Sequence, residues 1–183
     1  HFHALRVAGQ PGDHDALPVP DLDRGLRGAQ FLVRDAVIDE RYDPIAATRA
    51  AARLFEHNFN IMGAWPVAVT AYNHGTTGMQ RAVTQLGTKD MGIIATQYES
   101  RSFGFASRNF YAEFLAAVHV YENRANYFAE NAIANEVAPP AVWDVVTLPD
   151  YVRLGSLATH CGISKEDLWD ANPSLSWHVF HDR

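Results

Sequence analysis

The sequence predicts a mainly α protein, a helical bundle followed by a small unit that joins one strand to two helices. Three observations carry this. Apolar residues recur at helical spacing from Pro44 to Tyr127, and glycine and proline punctuate that run at about one helix length. Pro139-Pro140 then separates it from a β-branched stretch, Val145-Val146-Thr147. With 183 residues and 48% of them apolar, the chain has enough hydrophobic mass for a real core and an added module.

His1 to Arg27 carries Pro11, Pro18, Pro20, Gly9, Gly12 and Gly25 with no sustained period, and is expected to be irregular. Asp43 stands where a capping carboxylate belongs and Pro44 at the first helical position, so a helix is expected over 44–61. Further helices are expected over Trp65–Asn73, Met79–Leu86 and Met91–Tyr98, the first two separated by Gly75 and Gly78. The longest runs from Phe103 to Tyr127. It places Phe110, Phe114, Leu115, Val118, Tyr121 and Ala125 near one face, and its phenylalanines are expected to be chiefly core. Beyond the proline pair come a short strand at Val145–Thr147 and helices near Leu154–His160 and Lys165–Ala171. Ser164 with Asp167 has the spacing of a capping box, with Asp in place of Glu or Gln.

The chemistry concentrates where the second helix ends, in Tyr72-Asn73-His74 before Gly75. A helix ending this way delivers a phenol and an amide to a cleft wall. The same residues could simply cap the helix and bond a turn. Fifteen basic against 21 acidic residues, with no basic run, argue against a phosphate-tracking nucleic-acid surface. Cys161 is alone, so this sequence has no intrachain disulfide and no multi-cysteine metal site. His1-x-His3 and His178-x-x-His181 lie at opposite ends and no internal pair has zinc-helix spacing, so no metal is expected. Ser100, Ser102 and Ser107 lack a Gly-x-Ser-x-Gly elbow, and read as caps beside solvated Arg101 and Arg108. No apolar run is long enough to cross a bilayer.

An ordered series of motifs resembles the lytic murein transglycosylases of goose-type-lysozyme-like fold, and among them the branch of membrane-bound lytic murein transglycosylase D. It runs through Ile38-Asp39-Glu40-Arg41, Asp43-Pro44, Ala47-Thr48, Trp65-Pro66, Ala71-Tyr72-Asn73-His74-Gly75, Gly78-Met79 and Arg81-Ala82 to Ser102-Phe103-Gly104-Phe105-Ala106-Ser107-Arg108-Asn109-Phe110-Tyr111. The tail, with Gly162-Ile-Ser-Lys-Glu-Asp-Leu and Trp169-Asp-Ala-Asn172-Pro173, is similar to a degenerate LysM-type unit whose closing strand would lie beyond Arg183. The resemblance implies a lysozyme-like bundle over 28–138 and an incomplete βααβ LysM-like unit over 141–183. Residues 1–27 do not match.

By that resemblance the activity is cleavage of the β-1,4 bond between N-acetylmuramic acid and N-acetylglucosamine in peptidoglycan, leaving a 1,6-anhydromuramyl end. No cofactor is implied. Tyr72 and Asn73 match the family's substrate-facing pair, and Phe110 or Tyr111 falls where an aromatic lines the cleft. The family's general acid should be a glutamate in a Glu-Ser context upstream of Gly28. His1 to Arg27 contains none, and Glu40, the first in the chain, sits in a segment that reads as structural. The catalytic residue is therefore unassigned. Two expectations follow: a transglycosylase domain lacking its acid, or a non-catalytic module that holds peptidoglycan or chitooligosaccharide. Either implies glycan strands as partner, no nucleic acid, a monomer, and a location in the bacterial periplasm or cell envelope in association with the outer membrane, with anchoring through a segment ahead of His1.

Overall fold

The computed structural model describes residues 3–8, 31–129, 143–148 and 150–181. It is mainly helical, consistent with a lysozyme-like helical fold. The chain divides into two compact units, one of 1–51 with 140–183 and the other of 52–139. Pro139-Pro140 and most of 1–27 lie outside the described residues.

In the unit of 52–139, α1 (Pro44–Met62) contributes its C-terminal part, followed by α2 (Trp65–His74), α3 (Thr76–Leu86), α4 (Met91–Gln97), α5 (Phe105–Glu122) and α6 (Arg124–Tyr127). Helix α1 starts as its sequence dictates. Asp43 Oδ1 accepts from the N–H groups of Ile45 (2.9 Å) and Ala46 (3.1 Å), satisfying donors that the first turn cannot pair internally. Helix α2 is the centre of this unit, since Val67 to Ala71 are buried in unbroken succession and no side of that turn meets water. Around it lie Met79 and Ala82 of α3, Met91 and Ile94 of α4, and Phe103 just before α5. Asn58, 1% exposed, ties the pieces: its amide donates to the Ala68 carbonyl (3.3 Å) and its oxygen accepts from Thr76 Oγ1 (3.0 Å).

Helix α5 departs from expectation twice. It stops at Glu122, where the Asn123 side chain turns back to the His119 carbonyl (2.8 Å), so the expected single helix becomes α5 and α6. Its aromatic face is also not chiefly core. Phe103 is 1% exposed, but Phe105, Leu115, Val118 and Tyr121 are exposed and Ser107 is the helix's one buried residue. Spacing marks which residues share a face; it does not say whether a neighbour covers that face.

In the unit of 1–51 with 140–183, β1 (His3–Ala8) pairs antiparallel with β2 (Trp143–Leu148), from His3 opposite Leu148 to Ala8 opposite Trp143. This corrects the irregular reading of His1 to Arg27 for residues 3–8. The hydrogen-bond partner of β1 lies more than a hundred residues away, so no local period announces it. Helices α7 (Leu154–Cys161), α8 (Lys165–Asp170) and α9 (Trp177–Phe180) follow β2. Leu154, Leu157 and Leu168 pack with Ile38 and Leu175, and Ile38 forms a β-bridge with Leu175. At α8 the Ser164 hydroxyl accepts from the Asp167 N–H (2.9 Å) and also meets Asp167 Oδ2 (2.5 Å). The shorter aspartate thus closes on the cap's hydroxyl.

The stretch 39–43 holds an electrostatic knot. Asp39 takes both a side-chain bond from Arg41 Nη2 (2.5 Å) and one from its Nε (2.8 Å), while Arg34 stands 3.6 Å away. The Arg41 hydrogen bond chiefly holds the Asp39 carboxyl down at about 2, against an ordinary 3.8. Because the folded-state value is lowered, the stabilisation is present above about pH 4 and is lost as pH falls through about 2. We expect thermal melts to show this acid loss and Asp39→Asn to flatten it; an unchanged pH 2–4 slope in the variant would refute the assignment.

Candidate functional site

Tyr72 and Asn73 leave the core just as α2 ends. Ala71 is buried, Tyr72 is 43% exposed and Asn73 is exposed, so the helix turns from structural to solvent-facing within one residue. Gly75 then ends the helix at φ +86°, ψ 142°, its N–H bonded to the Ala71 carbonyl (2.9 Å). That backbone state is costly for any residue with a Cβ, so glycine is needed to start α3 one residue later.

Tyr72 belongs to an aromatic cluster. Its ring stacks on Phe55 of α1 at 4.8 Å and lies nearly parallel to Phe110 of α5 at 6.0 Å; Phe114 meets Phe55 at 5.9 Å. The contacts fix the ring's plane without burying it. Phe55 and Phe114 were not singled out as site residues from sequence, although Phe114 lies on the face expected for the longest helix. Of the two aromatics expected from α5, the structure brings Phe110 to Tyr72, whereas Tyr111 packs against the bundle core.

Asn73 is fixed from beneath. Ser107 of α5, 6% exposed, donates its hydroxyl proton to Asn73 Oδ1 (2.8 Å), and the same Oγ lies 3.3 Å from His74 Nδ1. His74 is wedged edge-on against Phe103 at 4.9 Å. Burial lowers the His74 pKa, Arg81 adds to this, and a hydrogen bond with the Ser102 backbone opposes it, so the ring is neutral at neutral pH. Arg108, one residue after Ser107, locks α5 to the end of α4 by donating to the carbonyls of Ala95 (2.6 Å) and Tyr98 (2.9 Å). Ser107, which is buried, and Arg108, which is half-buried, read from sequence as a cap and a solvated charge, are in fact the support of the site. Only the contact between α5 and the helix ends could reveal that.

Glu40 is held locally in the other unit: its Oε2 accepts from the Val33 N–H at 2.6 Å, beside the one-turn 3₁₀ helix Glu40–Tyr42. Among the described residues no group of three or more histidines, cysteines, aspartates or glutamates could hold a metal, and no helix is long and apolar enough to cross a membrane. An open apolar furrow of about 570 Å³ lies further along α5, between Ala116 and Phe128, away from Tyr72 and Asn73.

Residues 29–94 match the family model of the transglycosylase SLT domain. This stretch takes in α1 to most of α4 and therefore Tyr72, Asn73 and His74; it ends before Ser107, Phe110 and Tyr111. The match supports a lytic-transglycosylase type of domain, a lyase-class enzyme family that acts on peptidoglycan in the cell envelope. Comparison with curated proteins gave no match, and comparison with solved structures gave none.

Proposed function

We propose that this chain is a peptidoglycan-directed lytic transglycosylase domain of the membrane-bound lytic murein transglycosylase D type, with a LysM-like glycan-binding unit over 141–183. The observation that carries the reading is the pairing of an exposed phenol and an exposed carboxamide at the end of α2, inside the SLT-matched stretch and backed by aromatic residues of α1 and α5. In such a site Tyr72 lies against the sugar at the scissile bond, Asn73 bonds its acetamido group, and Phe110 extends the apolar wall. Tyr111 acts by holding α5 to the core.

The bond cleaved is the β-1,4 link between N-acetylmuramic acid and N-acetylglucosamine. A protonated glutamic acid gives its proton to the glycosidic oxygen as the bond breaks, the acetamido group shields the developing positive charge, and the resulting carboxylate then takes the proton of the 6-hydroxyl that attacks. Residues 1–27 contain no glutamate to act as that acid, and Glu40 is engaged with the Val33 N–H. The chain as written therefore binds glycan without cutting it, which is also the outcome of the second reading, a non-catalytic peptidoglycan or chitooligosaccharide module. The location is the bacterial periplasm or cell envelope, in association with the outer membrane, and the protein acts as a monomer without a cofactor.

Incubation with purified sacculi, followed by separation of released fragments, tests both parts. The expected result is retention on the sacculi with no 1,6-anhydromuropeptide released. Abundant anhydro product would show that another group serves as the acid, and absence of retention would remove the glycan reading.

A further inference from the structure

The hydrogen bonds around Ser107 are over-determined, because a serine hydroxyl has one proton and two neighbours within reach, Asn73 Oδ1 at 2.8 Å and His74 Nδ1 at 3.3 Å. Two arrangements are possible on paper. In one, Ser107 gives its proton to Asn73 Oδ1, His74 carries its proton on Nδ1, and the Asn73 NH2 group is left over. In the other, the carboxamide is flipped, its NH2 donates to Ser107, Ser107 donates to a bare His74 Nδ1, and the imidazole proton sits on Nε2.

His74 Nε2 decides between them. It is buried with no hydrogen-bond partner. Its side of the ring is closed by Gly78, where a Cβ would come within 2.6 Å of both Nε2 and Cδ2. A buried N–H without an acceptor forfeits a full hydrogen bond, whereas a bare ring lone pair against hydrocarbon forfeits less, so the proton belongs on Nδ1. With Nδ1 a donor, the Ser107 proton has one acceptor left, Asn73 Oδ1.

Building on the glycan reading above, we propose that Ser107, held by His74, is a positioning residue that locks the Asn73 carboxamide with its NH2 group outward, so that the site selects an acetamido carbonyl on the glycan and rejects the ammonium of a de-N-acetylated sugar. Asn73 Oδ1 is turned inward to accept from Ser107, and the NH2 group has no partner among the described residues. An outward NH2 can meet only an acceptor. A glucosamine ammonium presents donors alone and leaves both sides unpaired. Selectivity for N-acetylation then comes from a residue that does not touch the sugar.

Two measurements test this, and the first needs no ligand. Long-range 1H–15N NMR of the unaltered protein at neutral pH should find the His74 proton on Nδ1; a proton on Nε2 overturns the proposal whatever the protein binds. The second compares binding of tetra-N-acetylchitotetraose with that of chitotetraose by NMR titration. The wild type should prefer the acetylated probe. Ser107→Ala should weaken that binding about three- to tenfold, with no loss for chitotetraose, and Ser107→Thr should restore it. Unaltered selectivity in a folded Ser107→Ala overturns the proposal. If the wild type binds neither probe, the glycan reading of Asn73 fails, while the tautomer and a shift of the Asn73 side-chain amide signals in Ser107→Ala still decide the positioning.

Discussion

Phe103→Ala should destabilise the helical bundle by about 3–5 kcal/mol, the range for emptying a fully buried aromatic site. Phe103 is 1% exposed and is the largest fully buried side chain among the described residues. Its ring meets Tyr98 edge-on at 5.2 Å and His74 at 4.9 Å, and the Arg108 guanidinium lies 5.4 Å from its centroid. Removing the ring therefore opens a cavity bordered by α2, α4 and α5 at once, and the partners cannot collapse into it because Arg108 is anchored to the Ala95 and Tyr98 carbonyls. For a unit of this size the melting midpoint should fall by roughly 12 °C or more. A fall of less than about 4 °C, or about 1 kcal/mol, would mean that the ring is not a packing centre.

The second large effect is expected at Gly78. A methyl group there would sit 2.6 Å from the His74 ring, well inside contact distance, and the ring has nowhere to swing because Phe103 abuts it. Gly78→Ala should cost about 1–3 kcal/mol through overpacking. It should also displace Nδ1 from Ser107, so that the proposed acetamido selectivity would be lost together with stability. His74 supplies a pH signature for the same contact. Its folded-state pKa is lowered, first by burial and then by Arg81, so its contribution to stability is complete above the free histidine value of about 6.5 and is lost as pH falls below it. Melting midpoints measured from pH 8 to pH 5 should therefore drop, and should drop less in Gly78→Ala. Parallel curves for the two proteins would show that the ring is not confined by Gly78.

Much of the bundle could be read from the chain. Asp43-Pro44 announced the start of α1, and Gly75 the end of α2, because capping and left-handed or extended glycine geometry are local properties of a few residues. Met79, expected to begin a helix, lies inside α3, which starts at Thr76 because the Gly75 joint needs no further linker. Strand β1 was missed because its hydrogen-bond partners are in β2. The site was legible in part. Tyr72 and Asn73 stood out from their place before a glycine, while Ser107, the residue that holds Asn73, read as an ordinary serine.

What the sequence by itself determined is the set of helices, their caps and the polar end of α2, since each depends on neighbours within a turn or two. What only the tertiary structure decided is which face of α5 meets α2: that contact puts Phe110 beside Tyr72, turns Tyr111 to the core and sets Ser107 beneath Asn73. Helical spacing groups residues around an axis but leaves free the rotation of one helix against another, and that rotation is chosen by the packing of Phe103, His74 and Arg108 together.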